Sequence, residues 1–425
     1  MTATGPGIGE AVSRAELQRR TVRTLVWSQV LAGGTTAAVV TIGSLLAKEI
    51  TDTDSLAGTA TAALTLGTAL AALPLARHAS KVGRRPVLAG GFAVGGVGAL
   101  AVGLAAAIGS YPLLLVGMAA VGIGQAAGLQ ARFAAADLAD DAGRAGAIGT
   151  VVWAMTVGSV AAPNLLGPSS RVADSLGLEE LAGLPIVGVV LAFCAALFVA
   201  KRLRPDPLVE AGGLDAPGVG RRPLRPAITA IRTNLDAAVS LASVVVAHAT
   251  MVGVMSMTAI HLDDGGQSKA FIGFVISTHI AGMYAFSPVA GRLADRIGRV
   301  PTLALGAAVL VLATDTAGHS HGSESVMMLL ALFALGFGWS LALVAGSALL
   351  TESVSVEVRV SAQGLSDVAM SASGAIAAVA AGFAVDTIGY HHLSHIGMGL
   401  SSAMLAVAIA RAVTNRRVVR AAALR

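Results

Sequence analysis

The stretch "ARHASKVGRRPVLAGGFAV" (Ala76–Val94) returns 215 positions later as "GRLADRIGRVPTLALGAAV" (Gly291–Val309). Arg77, Lys81, Gly83, Arg84, Pro86, Leu88, Gly91 and Val94 align with Arg292, Arg296, Gly298, Arg299, Pro301, Leu303, Gly306 and Val309. Each copy is a basic turn, then Gly and Pro, then a long apolar run. That is the pattern of a short loop delivering the chain into a membrane, and its recurrence makes the protein a tandem duplication.

Working outward from the two copies, the 425-residue chain is 55% hydrophobic and only 12% charged. Soluble domains carry about 25% charged residues, so this composition excludes an ordinary soluble protein. A bilayer core takes roughly 20 apolar residues per helix. Such runs fall near 24–47, 56–76, 86–108, 111–131, 145–166, 184–200, 237–260, 270–291, 300–317, 325–350, 361–385 and 396–412. The expectation is an all-α polytopic membrane protein with twelve spans in two six-helix repeats. Residues 1–200 form the first bundle and 237–425 the second. The Pro-, Gly- and Arg-rich segment 201–236 reads as a flexible cytoplasmic linker.

Lys and Arg placement sets the orientation. Of the 29 such residues, 26 fall in segments on one side and only Lys48, Arg171 and Lys269 on the other. Both termini are therefore expected in the cytoplasm, with the chain in the cytoplasmic membrane. The net charge of +5 is a topology signal and calls for no nucleic acid. The single cysteine, Cys194, excludes a disulfide framework. H-E-x-x-H and G-x-x-x-x-G-K motifs are absent, so the chain does not read as an enzyme or an ATP-driven pump.

"GRLADRIGRV" (Gly291–Val300) resembles the G-x-L-A-D-R-x-G-R-K signature of the major facilitator superfamily. The resemblance implies a twelve-helix transporter working by alternating access, with Gly291, Asp295, Arg296, Gly298 and Arg299 as gating residues. Asp295 can face a helix N-terminus and the nearby arginines. The signature normally appears most fully in the first half, yet here the first copy has Ser80 in place of Asp.

Met251 and Met255 lie one helical turn apart in the seventh span, His279 and Met283 in the eighth. If the two helices pack as antiparallel neighbours, Met251 and His279 are level at about 13 Å depth. His248 shares the face of Met251 and Met255 and lies near the depth of Met283. Thioether and imidazole suit Cu(I). Methionine is equally a common packing residue, and a buried histidine can bond a backbone carbonyl or a serine such as Ser243 or Ser277. The M-x-x-x-M and H-x-x-x-M pair is similar to that of the CcoA-like copper importers, which implies copper ion as transported substrate and no cofactor. The expected partners are copper ion and the lipid bilayer, with a cytoplasmic copper chaperone as a further one, and the chain is expected to be a monomer. Relatives in that group carry riboflavin. Uptake of such a small organic substrate, drug/proton antiport, and a copper-chaperoning assembly factor without transport stay open as alternatives, although three Trp and three Tyr offer few stacking surfaces.

Six histidines, His261, His319, His321, His391, His392 and His395, fall in segments expected outside, where they read as solvated loop residues or as metal collectors. Carboxylates are scarce at membrane depth: Asp367 enters the eleventh span, while Asp137, Asp236 and Glu352 sit at helix ends. Arg132 and Asp137 are expected to pair.

Overall fold

The computed structural model describes residues 8–423 apart from 53–55, 57–58, 163–164, 176, 178, 214–223, 268 and 321–324. Among the described residues there is no strand. The first unit, Met1–Arg222, holds α1 (Ile8–Thr51), α2 (Thr59–Val82), α3 (Arg84–Ile108), α4 (Tyr111–Ala136), α5 (Arg144–Ala161), the short α6 (Leu166–Ser175), α7 (Gly183–Arg202) and the single turn α8 (Pro207–Glu210). The second, Pro223–Arg425, holds α9 (Leu224–Thr233), α10 (Leu235–Asp264), α11 (Lys269–Tyr284), α12 (Ser287–Ile297), α13 (Arg299–His319), α14 (Ser325–Ser353) and α15 (Val356–Ala423). Inside α15, Gly389 leaves helical geometry at φ 79°, and two apolar arms, Val356–Val385 and Thr387–Thr414, flank this region.

Among the described residues, eleven helices are long and apolar enough to cross a membrane. The span expected at 270–291 is the exception. It is split into α11, of 16 residues, and α12, with Phe286 between them at φ −99° and ψ 5°. Pro288 explains the break, since its ring excludes the carbonyl four residues back and it offers no N–H. Pro74, in the matching part of α2, is absorbed within a continuous helix.

The two units repeat one packing plan. In the first, α2 packs on α4, α1 on α4, α5 and α7, and α3 on α4 and α7. In the second, α11 packs on α14, α10 on α14 and α15, and α13 on α14 and α15. With lipid as solvent, apolar burial does little to hold helices together, so close backbone approach and dispersion must do it. The α11–α14 crossing shows the device. Any side chain at Gly282 would overlap the Phe333 carbonyl, and any at Gly336 the His279 carbonyl.

Part of the segment expected as linker carries structure. Pro207 and Leu208 are buried in the first unit. In α9, Ala227 and Ile231 stand one turn apart and are buried, packed with Ala237, Leu350 and Val354. Residues 214–223 lie outside the described residues.

Candidate functional site

The two basic turns share an unusual backbone. Gly83 has φ 93° and ψ 175°, and Gly298 has φ 97° and ψ 160°, a region essentially closed to residues with a Cβ. This turn swings the following arginine beneath the bundle. Arg84 is wholly buried; its Nε donates to Asp137 Oδ2 at 2.8 Å, Nη2 to Oδ1 at 3.2 Å, and Nη1 to Gln130 Oε1 at 3.0 Å. In the second unit Arg299 Nε and Nη2 donate to Glu352 Oε1 at 3.1 and 2.9 Å, and Nη1 meets Asp295 Oδ1 at 3.1 Å and the Ala294 carbonyl at 2.9 Å. Asp137 and Glu352 are themselves 215 positions apart, so the arginine–carboxylate pair is duplicated.

The structure corrects the expected Arg132–Asp137 pair. Asp137 takes Arg84, while Arg132 lies 4.4 Å over the Phe133 ring and donates to the Leu129 carbonyl. Position 80, lacking the signature carboxylate, holds a serine bonded to the Arg77 carbonyl. A different carboxylate stands near this turn. Asp206, from the segment after α7, accepts from the Arg85 backbone N–H at 2.7 Å and also caps α8 through Leu208 and Val209 N–H.

The Met/His set is carried by α10 and α11, both of which pack on α14. His279 is buried, and its Nδ1 donates to the Leu332 carbonyl of α14 at 2.8 Å. Its Nε2 is buried without a hydrogen-bond partner. Met283, one turn on, lies against Gly336, where an added Cβ would stand 3.2 Å from its Cγ. Met251 is buried in α10, and Met255 is partly buried. However, α10 and α11 make few close approaches to one another. The neighbour packing on which a level placement of Met251 and His279 depends is thus slight: α11 packs on α14, and α10 on α15 and α14.

His248 also has a partner that sequence did not suggest. Trp339 Nε1, from α14, donates to His248 Nδ1 at 3.0 Å, so neither Ser243 nor Ser277 is needed for that nitrogen. The other ring edge abuts α15, where a Cβ at Gly374 would stand 2.7 Å from His248 Nε2. Trp339 in turn meets Tyr284 edge-on, with ring centroids 5.9 Å apart. Phe286, Phe333 and Phe337 form a second aromatic group nearby on the α11–α12 break and α14. Aromatics are few in the chain, but they are concentrated here.

The first unit has its own mid-helix polar group. Thr68 Oγ1 lies 3.0 Å from Gln125 Oε1 and from the Gly122 carbonyl, and Gln29 Nε2 donates to the Gly128 carbonyl. At the end bearing Arg14 and Arg144, a cavity of about 1600 Å³ is lined by Gln18, Arg23, Asp140 and Glu210 among others.

The Major Facilitator Superfamily profile matches residues 25–265 and again 239–424. This chain belongs to the major facilitator superfamily. It is 34% identical to the MFS-type transporter YddS of Bacillus subtilis over 93% of this chain and 91% of that protein. It is 26% identical to the riboflavin transporter RfnT of Brucella anthropi over 93% of this chain and 97% of that protein. Among solved structures, the Escherichia coli fucose:proton symporter FucP aligns over 92% of this chain and 98% of its own with a TM-score of 0.71. The human organic anion transporter MFSD10 aligns over 92% and 99% with a TM-score of 0.70. At 14% and 17% identity these two show the fold alone.

As a major facilitator, the protein is an integral membrane transporter. The Asp137–Glu352 correspondence was open to sequence reading at the same 215 offset; Gln125, Trp339 and Asp206 carried no such signal. Asp367, also fully buried, lies in the first arm of α15.

Proposed function

We propose that the protein is a secondary transporter of a small organic solute, moving it across the cytoplasmic membrane by alternating access with both termini cytoplasmic. The Trp339–His248–Tyr284 assembly on α14, α10 and α11 carries this reading. Aromatic faces beside one oriented imidazole are the kind of apolar, sparsely polar groups that organic ligands need. The similarity to a riboflavin transporter along nearly the whole chain supports a flat heterocycle as the first substrate to try. The measurement is uptake of labelled riboflavin by cells that cannot synthesise it, with and without the gene. Trp339→Ala should reduce uptake at least tenfold and Trp339→Phe less, at equal membrane abundance. No gene-dependent riboflavin uptake would remove riboflavin as the substrate.

A second reading, import of copper ion as substrate, is favoured by one observation. His279 holds Nε2 buried and unpartnered, as a ligand nitrogen awaiting a cation would be. Met251, Met255 and Met283 would then supply thioethers to Cu(I), with His248 as relay or ligand. Cellular copper in copper-limited medium decides it. A gene-dependent rise that is lost in His279→Ala and Met283→Leu would favour copper over the organic solute.

A further inference from the structure

We propose that Asp315, His319 and His395, with His391 beside them, bind a divalent transition-metal cation of the Zn²⁺ type at the end of the second unit remote from Arg299. The site does not depend on which substrate is carried. One donor atom each from Asp315, His319 and His395 lies within 4.8 Å of the others. Zinc bonds of about 2.0–2.1 Å place tetrahedral donors roughly 3.4 Å apart. Modest rotations of partly exposed side chains therefore close the set around an ion.

Two helices supply the donors in the same way. Asp315 and His319 are four apart on α13; His391 and His395 are four apart on α15. One-turn spacing aims both members of a pair to one side. The helices are drawn together at this point by Gly318, whose added Cβ would stand 3.0 Å from Ser394 Cβ and 3.6 Å from His395 Cδ2. The three rings cluster closely, with centroids 4.1 Å apart for His391–His395 and 5.3 Å for His319–His391 and His319–His395.

Backbone carbonyls orient two of the rings. His391 Nδ1 donates to the Gly318 carbonyl at 2.6 Å and His319 Nδ1 to the Asp315 carbonyl at 2.9 Å. At His391 the bond leaves the lone pair on Nε2, the arrangement by which protein carbonyls prepare histidine for a metal; His319 Nδ1 also lies 3.3 Å from Asp315 Oδ1, which holds these two donors side by side. The donors are imidazole and carboxylate with no sulfur, which selects a borderline divalent ion over Cu(I). His392 does not join them; its Nδ1 bonds the Ile388 carbonyl of its own helix. His321 lies outside the described residues. A bound cation would tie α13 to the second arm of α15 and oppose their separation.

The test uses the full chain in detergent, purified with a tag free of histidine and stripped with chelator. Zinc content after dialysis and the unfolding temperature are measured across ZnCl₂ concentrations. The wild type should retain one zinc per chain and unfold at a higher temperature with zinc. His319→Ala and His395→Ala should each weaken zinc binding at least about tenfold and remove the thermal rise. His392→Ala should keep both. A wild type that retains no zinc, or a His319→Ala/His395→Ala double variant that binds as tightly as wild type, overturns the site.

Discussion

The two basic turns descend from one repeat, yet they close their arginines differently. Arg84 and Asp137 are sealed, with side-chain exposures of 0% and 1%, while Arg299 and Glu352 keep 10% and 23%. The first latch spends its third arginine nitrogen on a neutral amide, Gln130; the second spends it on the signature carboxylate, Asp295, and a carbonyl. One is built as a buried structural pair, the other as a partly wet cluster of charges. The contrast predicts that the first turn carries more of the stability, and it makes the second the turn to test as an adjustable contact.

Removing the arginines should break the comparison most visibly. Arg84→Ala leaves Asp137 buried without its cation, a loss of about 3–5 kcal/mol. Arg299→Ala leaves Glu352 able to reach water and should cost about 1–2 kcal/mol. Thermal unfolding of the purified variants and their membrane abundance measure both. Equal losses would mean that the burial difference has no energetic weight.

The glycines come next. Gly83→Ala and Gly298→Ala both force a Cβ into a region that costs about 1–3 kcal/mol. At Gly298 the nearest atom to the new Cβ is Pro301 Cδ at 3.5 Å, so strain is the whole penalty. At Gly83 the Cβ would also stand 2.5 Å from Asp206 Oδ2. Gly83→Ala should therefore lower the unfolding temperature more than Gly298→Ala, and combining Gly83→Ala with Asp206→Ala should cost less than the sum of the two single changes.

Asp206→Ala alone sharpens the assignment of the segment after α7. It removes the cap of α8 and the acceptor of the Arg85 N–H, together worth about 1–2 kcal/mol. Proteolysis within 203–213 should speed up in step with the loss of thermal stability. Unchanged cleavage would mean that buried Leu208 holds the segment without Asp206.

Much of this architecture was legible beforehand, and the exceptions share a cause. Helix number and duplication follow from apolar runs and from the 215 offset, both local in sequence. The split of the eighth span was also local, written in Pro288, but hydropathy alone reads straight across it. Partner choice is not local. Asp137 lies five residues from Arg132 yet bonds Arg84, because the glycine turn carries Arg84 under α4. The Met/His helices follow one another in the chain, yet each packs on α14. Counting aromatics likewise says nothing of their concentration at Trp339, Tyr284 and the three nearby phenylalanines. Sequence spacing reports what shares a helix face; it does not report which helix comes to meet that face.

The smallest stability effect belongs to Asp295, and it separates holding from gating. Arg299 keeps Glu352 and the Ala294 carbonyl when Asp295 is neutralised, so Asp295→Asn weakens its ion pair with Arg299, one turn long, and leaves the rest of the cluster in place. Such pairs are worth about 0.2–0.5 kcal/mol, below what most unfolding measurements resolve. If the second turn serves as the adjustable contact, transport should nevertheless fall several-fold, because the charge acts in one conformation more than in another and shifts their balance. Ser80→Ala is the matching change in the first unit, removing only a bond to the Arg77 carbonyl of its own helix; it should leave both transport and stability near normal. Initial uptake rates and unfolding temperatures on the same two variants decide the matter. Loss of transport in Asp295→Asn at unchanged stability keeps the gating role, whereas normal transport returns Asp295 to the status of Ser80, a residue that the duplication has kept without use.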